Sequence, residues 1–208
     1  MKRILFAAAA ALSVAWAGDA SAGEVFGGIY GHNVTFIGDN IGIGAVKRED
    51  GMDVHIGYRT DKIDALKWIG RPAVHAFVSI NSRRTGGVSK EGSDFVAVGF
   101  DWPITLFRSP FYIRPGIGLA YTDGQFNLPP ANAPNLSAAE AQRRLQLHFG
   151  RLDFGDPWQF EPELALGYHL SHHWSTELSY THISNGQIFH HGKNEGLDDA
   201  GVRLNYKF

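Results

Sequence analysis

Eight segments of the chain alternate, residue by residue, between apolar side chains and small or polar ones. They are residues 24–33, 52–60, 72–82, 93–103, 111–123, 159–170, 174–184 and 199–208. Successive side chains of a β-strand point to opposite faces, so a period of two predicts strands with one apolar face and one polar face. The last segment places Val202, Leu204, Tyr206 and Phe208 on one face. A chain built from such segments is predicted to be all-β.

The second face of these strands separates two all-β architectures. A soluble sandwich hides its apolar face and exposes its polar face, whereas a small membrane barrel turns the apolar face to lipid and encloses the polar one. Here the second face mixes Gly and Ala with isolated charges, which suits the narrow interior of eight strands. Aliphatic runs that end in aromatic residues suit a lipid face with an aromatic girdle. We therefore predict an eight-stranded antiparallel transmembrane β-barrel of the bacterial outer membrane.

The connections between the segments alternate in length, as in outer-membrane barrels with long external loops and short periplasmic turns. The longer ones are residues 34–51, 83–92, 124–158 and 185–198. The turn 61–71 is long for a periplasmic turn, and we expect it to extend its flanking strands. In loop 124–158, Ser137 and Glu140 have the spacing of a capping box, which predicts a helix. The final strand ends in Phe208, an ending typical of barrels whose last strand is read by the barrel-assembly machinery.

The N-terminus has the pattern of a secretory signal peptide. Lys2 and Arg3 precede a short apolar run, and Ala20-Ser21-Ala22 forms a cleavage site before Gly23. A second small-residue motif, Ala15 to Ala17, leaves the cleavage site open, and the run is too short to span a membrane. We predict a signal peptide at residues 1–22 and a barrel domain at 23–208.

Composition excludes two other classes of protein. The chain has no cysteine, so it is not a disulfide-stabilised secreted scaffold. Its formal charge of −2 indicates no nucleic-acid partner.

Two polar residues lie on the apolar face of the seventh strand. His182 and Ser184 share a face with Leu178 and Tyr180, which is a costly position in lipid unless the residues have a function there. With both chain ends in the periplasm, this strand runs outward and places them at the level of the outer leaflet. A nucleophilic serine needs a base, and the base needs an orienting acid. Asp198 shares the outward face of the next strand.

This pattern resembles that of a known enzyme family. The residues His182-x-Ser184-Asn185, then Asn194-x-Gly196-x-Asp198, resemble the outer-membrane lipid A 3-O-deacylase family, PagL. The resemblance implies an esterase that removes the ester-linked 3-hydroxyacyl chain from the 3 position of lipid A in lipopolysaccharide. It implies that Ser184 is the nucleophile, His182 the general base and Asp198 the acid that orients it.

One position departs from the family pattern. A known member of the family carries Glu where this chain has Asp198, and its intervening loop is slightly shorter. Glu195 and Asp199 therefore stay open as alternative acids.

The remaining polar candidates support catalysis or the barrel. Candidate oxyanion donors are Asn185, Asn194 and the backbone N–H groups near Gly186 and Gly196, although both Asn residues equally suit turns. We predict no cofactor and no metal site, because the adjacent pairs His172-His173 and His190-His191 point apart on a strand. An interior charge network is predicted from a set of six residues: Glu161, Glu163, Glu177, Arg114, Arg203 and Lys207.

Two rival functions are compatible with the same barrel. One is a non-enzymatic small barrel, an adhesin or structural protein, which leaves His182 and Ser184 without a role. The other is a different lipid enzyme on this scaffold, a phospholipase or an acyltransferase.

Overall fold

The strands close into an antiparallel β-barrel. The computed structural model describes residues 23–35, 40, 48–82, 92–188 and 192–208, so the predicted signal peptide lies outside the described residues. The strands of this part are β1 (Gly23–Gly31), β2 (Met52–Thr60), β3 (Ala73–Asn81), β4 (Phe95–Asp101), β5 (Ile104–Thr105), β6 (Phe111–Thr122), β7 (Trp158–His169), β8 (Trp174–Ile183) and β9 (Leu197–Lys207). Their order is β4-β3-β2-β1-β9-β8-β7-β6, and pairing of β4 with β6 closes the ring. The short β5 pairs only with β6, so eight strands form the barrel, as predicted.

The two faces of the strands divide as the alternation predicts. Along β8, Glu177, Ser179 and Thr181 are buried inside the barrel, whereas Leu178 on the opposite face is 62% exposed. The register places Leu178 beside Val202 of β9, so apolar side chains form continuous rows on the outside. Aromatic pairs stand near the two ends of this surface: Tyr121 with Trp158, Phe111 with Tyr168, and Trp174 with Tyr206. Within the described residues, no helix is long and apolar enough to cross a membrane.

Paired charges fill the interior of the barrel. Arg203 donates two hydrogen bonds to Glu163, at 2.7 and 2.8 Å, and a third to Glu177. Arg114 lies 3.0 Å from Glu177 and 2.9 Å from Glu24. Buried charges are tolerated only when they are paired in this way. These contacts agree with the predicted interior charge network.

Two members of the predicted network have other partners. Glu161 lies in the interior, but its hydrogen-bond partner there is a histidine, His75, at 3.1 Å. The prediction is wrong for Lys207, which pairs with Asp61 at 2.9 Å with both side chains about half exposed. Lys207 is the last residue of β9, where the strand emerges from the barrel, so face alternation no longer buries its side chain.

A loop closes the mouth of the barrel where β8 ends and β9 begins. Helix α1 (Ala138–Gly150) lies in the loop between β6 and β7, and Ser137 caps it by accepting a hydrogen bond from the Glu140 N–H, as predicted. After the helix, Leu152 and Phe154 enter an apolar cluster with residues of the barrel wall. The members of that cluster are Phe26, Phe77, Phe95, Ala97, Ala120, Leu152, Phe154, Ile183 and Leu197.

The turn between β2 and β3 differs from its prediction. It forms a short 3-10 helix, Asp64–Ile69, and does not extend the flanking strands. Gly70 ends this helix with a φ of 91°, a conformation that favours glycine. The Trp102 indole donates a hydrogen bond of 2.8 Å to the Ile69 carbonyl and holds the turn against the neighbouring connection.

Candidate active site

The candidate site lies on the outside of the barrel, where β8 and β9 pair. The strand register sets His182 directly beside Asp198, and the His182 Nδ1 atom lies 2.5 Å from Asp198 Oδ1. An ionised carboxylate only accepts hydrogen bonds, so Nδ1 carries the hydrogen and Nε2 is left to accept one. Both side chains are buried, although they lie on the outward face of the sheet. Asp198 therefore fixes the orientation of the His182 imidazole and leaves Nε2 as the nitrogen that can accept a proton.

Ser184 follows His182 on the same face. Its backbone pairs with Phe160 of β7 through hydrogen bonds of 3.1 and 2.7 Å, which continue the β7–β8 pairing beyond the end of β8. Two residues along a strand are separated by about 7 Å, a distance that an imidazole side chain can bridge. The Ser184 hydroxyl makes no hydrogen bond to any residue that the structure describes, and it is half-buried. It is thus available to a ligand.

Gly196 provides the space for the His182 ring. A Cβ atom at this position would lie 2.6 Å from His182 Cε1, closer than real contacts of a Cβ, and 3.2 Å from Nε2. The imidazole therefore packs on the bare backbone of the segment before β9. Gly196 is one of the predicted residues, and it contacts the imidazole directly because it has no side chain to hold the ring away.

The two predicted asparagines hold the loop between β8 and β9. The Asn185 N–H donates to Asn194 Oδ1 at 2.9 Å, which holds the Asn194 side chain against the residue that follows Ser184. The Asn185 side chain is buried and donates to the Phe154 and Lys193 carbonyls at 2.7 and 3.0 Å. Both hydrogens of the Asn185 amide are thereby used.

Gly186 has a different position from the other predicted residues. It is exposed and adopts a φ of 58° in the turn that follows Ser184 and Asn185. Its positive φ explains a glycine there on conformational grounds alone.

The two alternative acids have other partners. Glu195 Oε2 accepts hydrogen bonds from Arg48 Nη1 at 2.7 Å and from the Asp153 N–H at 2.8 Å. Asp199 points into the barrel and lies 3.2 Å from His55 Nε2. The structure therefore brings Asp198 to His182 and ties the other two acids elsewhere.

Asp198 has a second contact that the sequence analysis missed. The Tyr180 hydroxyl donates to Asp198 Oδ1 at 2.8 Å, so that one oxygen serves two donors. The other oxygen, Oδ2, is buried with no hydrogen-bond partner in the described part of the chain. Tyr180 has the same parity as His182, and that shared face was the available signal.

Histidine also occurs away from this site. His173 lies in an exposed turn and contacts the Lys207 carbonyl at 2.8 Å, while the predicted pair His190-His191 lies outside the described residues.

A buried group near the barrel mouth was missed by the sequence analysis. His32, Asp53 and Asp199 have candidate ligand atoms within 4.8 Å of one another. Both ring nitrogens of His32 are already bonded, to Asp53 at 2.8 Å and to Glu49 at 3.2 Å. Burial alone would lower the pKa of His32, but these two hydrogen bonds raise it well above its usual value. A protonated His32, bonded to the carboxylates of Asp53 and Glu49, explains why these buried residues lie together.

Comparison with known proteins gives one family and one fold. The family model for lipid A 3-O-deacylase (PagL) matches residues 50–207, whereas no curated protein sequence matches the chain. The crystal structure of the outer membrane enzyme PagL is similar, with 14% identity and a TM-score of 0.52, over 88% of this chain and 97% of that one.

Two further solved structures are similar at lower scores. The N-terminal barrel domain of Pseudomonas aeruginosa OprF has 10% identity and a TM-score of 0.43, over 89% and 99% of the two chains. Neisserial surface protein A has 12% identity and a TM-score of 0.42, over 90% and 96%. The family match covers the candidate site and most of the barrel, and the chain therefore belongs to the PagL family of lipid A 3-O-deacylases.

Proposed function

We propose that this protein is an outer-membrane serine esterase that removes the ester-linked 3-hydroxyacyl chain from the 3 position of lipid A. One observation carries the proposal: a buried His182–Asp198 hydrogen bond of 2.5 Å stands on the outward face of the barrel beside Ser184. Polar side chains on a lipid-facing surface are costly and commonly functional. Membership of the PagL family supports lipid A as the substrate.

The proposed reaction follows the order of a serine hydrolase. Ser184 Oγ attacks the ester carbonyl of the acyl chain while His182 Nε2 accepts the hydroxyl proton. The tetrahedral intermediate expels the 3-hydroxyl oxygen of the sugar, which takes that proton from His182. Water then hydrolyses the acyl-enzyme with His182 again acting as base. Asp198 holds the imidazole in the required tautomer and stabilises its charged form throughout.

The developing oxyanion needs a fixed donor beside Ser184. Asn194 is the proposed side-chain donor, because its Oδ1 accepts the Asn185 N–H and no described residue accepts a hydrogen bond from its amide nitrogen. The backbone N–H groups near Gly186 and Gly196 are further candidates. The Asn185 side chain supports this arrangement from inside the barrel, where both of its amide hydrogens bind loop carbonyls.

The substrate class sets the proposed location. Lipopolysaccharide occupies the outer leaflet of the outer membrane, so the end of β8 would face that leaflet. Membrane lipid surrounds the apolar outer rows, and the C-terminal strand β9 would be read by the barrel-assembly machinery during insertion.

Mass spectrometry of lipid A tests the proposal. Cells that make the protein should lose the mass of one ester-linked 3-hydroxy fatty acid from lipid A. Ser184→Ala and His182→Ala should each abolish this loss, and the double variant should be no worse than either, because the two act as one unit. Asp198→Asn should lower kcat by about 10⁴, as in a comparable triad. Glu195→Gln, whose partners are Arg48 and Asp153, is the matched control for the acid.

Four outcomes would redirect the proposal. Full activity of Ser184→Ala would remove Ser184 as the nucleophile. Loss of activity in Glu195→Gln with a silent Asp198→Asn would reassign the acid and keep the enzyme class. Release of fatty acid from phospholipid would favour a phospholipase, whereas unchanged lipids in a detergent assay would favour a non-enzymatic barrel.

A further inference from the structure

Tyr180 lies next to the site, two residues before His182 on β8 and on the same outward face of the barrel. Its hydroxyl donates to Asp198 Oδ1 at 2.8 Å, and the same oxygen receives His182 Nδ1 at 2.5 Å. Tyr180 and His182 both belong to β8, whereas Asp198 belongs to β9, so the carboxylate is held by two donors from one neighbouring strand.

The other carboxylate oxygen offers no comparable restraint. Asp198 Oδ2 is buried and has no hydrogen-bond partner among the described residues. A carboxylate oxygen has two lone pairs, and here both donors occupy the same oxygen. Without the tyrosine, one hydrogen bond would remain to define the rotation of the carboxylate about its Cβ–Cγ bond. The position of the imidazole depends on that rotation.

We propose that Tyr180 is a positioning residue of the esterase, which acts by fixing the Asp198 carboxylate against His182. The kinetic consequence of this role rests on the proposed function. Tyr180 does not itself exchange a proton with the substrate or contact the reacting atoms. Its hydroxyl sets the direction of Asp198 Oδ1, and Asp198 in turn sets the tautomer and orientation of His182.

A purely structural role is the competing explanation. A tyrosine hydroxyl on a lipid-facing surface needs a hydrogen-bond partner, and Asp198 would supply one without any effect on catalysis. The two explanations differ in what the Tyr180→Phe variant does to the His182–Asp198 pair. That substitution keeps the ring and its packing and removes only the oxygen atom.

The kinetic test is a double-mutant cycle on the full-length protein in detergent with purified lipid A. Tyr180→Phe should lower kcat about tenfold to a hundredfold, the effect of losing a hydrogen bond to a charged group, and leave KM within about twofold. In an Asp198→Ala background the same substitution should have no further effect, because the residue through which it acts is absent. Tyr121→Phe is the matched control, since Tyr121 is another outward-facing tyrosine and packs against Trp158.

A second readout is independent of the substrate. A proton held in the short His182–Asp198 hydrogen bond should resonate far downfield in the NMR spectrum of protein labelled with ¹⁵N-histidine, and His182→Ala assigns it. Tyr180→Phe should shift or broaden this resonance, whereas Tyr121→Phe should leave it in place. This arm reports on Asp198 whether or not lipid A is the substrate.

Either of two results overturns the inference. One is an unchanged resonance in Tyr180→Phe, whatever its kinetics. The other is a loss of kcat that persists in the Asp198→Ala background, because the hydroxyl would then act on something other than Asp198. If the wild-type protein leaves lipid A intact, the proposed function fails, and the resonance alone decides whether Tyr180 positions Asp198.

Discussion

Replacing Gly196 by alanine tests the proposed site with a single methyl group. The added Cβ would stand 2.6 Å from His182 Cε1, and this distance must open to at least 3.4 Å for an ordinary contact. The Ile183 carbonyl oxygen lies 3.3 Å from the same point, so the added methyl group is crowded by backbone as well as by the ring. Gly196 is not among the glycines with positive φ, so alanine accepts its backbone conformation. The imidazole must therefore move.

The size of that movement predicts the loss of activity. Opening the contact displaces the ring by roughly 1 Å, and a misplacement of this size costs about 10²-fold in rate. The His182 ring is held to Asp198 by a hydrogen bond of 2.5 Å, so this displacement would lengthen or bend that hydrogen bond. We expect kcat to fall about 10²-fold while the barrel still folds, because the contact lies outside its interior packing.

Release of 3-hydroxy fatty acid from lipid A measures the effect, and the shift between heated and unheated protein on a gel confirms the fold. Gly27→Ala is the matched control, since Gly27 also faces outward on its strand and a Cβ there would meet its nearest atom, the His55 carbonyl, at 3.8 Å. Wild-type kinetics in Gly196→Ala would refute the claim that this glycine makes room for a catalytic imidazole.

Three further predictions concern the barrel and its loops. His32→Gln should lower the free energy of unfolding by about 3 kcal/mol at neutral pH, because buried Asp53 loses its protonated partner and keeps only the neutral donors Ser79 and Asn81, while Glu49 keeps Arg151. The difference should shrink towards alkaline pH, because a group with a raised folded pKa stabilises fully below its ordinary value of 6.5 and loses that contribution as pH rises through the raised value. Ser137→Ala should cost about 1 kcal/mol of helix stability by removing the bond from the Glu140 N–H, seen as faster amide exchange in α1 with unchanged activity. The unheated protein should be β-rich in detergent and should migrate differently from the boiled form; a helical circular dichroism spectrum would contradict the barrel.

Face alternation made the barrel predictable from sequence. Which side of a strand a residue occupies depends on backbone geometry alone, so Leu178 and Ser179 could be assigned to opposite faces without any knowledge of their neighbours. The same rule assigned His182 and Ser184 to the outside. The capping box of α1 was equally local, because Ser137 and Glu140 are three residues apart.

Contacts that depend on strand register or on the path of a loop could be seen only in the tertiary structure. Parity placed Asp198, Tyr180 and His182 on one face, but only the pairing of β8 with β9 made Asp198 the shared acceptor of both donors. Loop residues have no repeating pattern, so the entry of Leu152 into the barrel mouth could not be read from sequence. Lys207 has interior parity, yet the strand ends before parity can bury it.

The sequence by itself determined the all-β class, the eight strands and the outward face of the candidate nucleophile and base, because these follow from a period of two along the chain. Only the tertiary structure decided which acid meets His182, why Gly196 lacks a side chain, and how His32 joins carboxylates from distant segments. These contacts join parts of the chain that meet only when the strands pair and the loops fold over the barrel mouth, and their distances are set by that assembly.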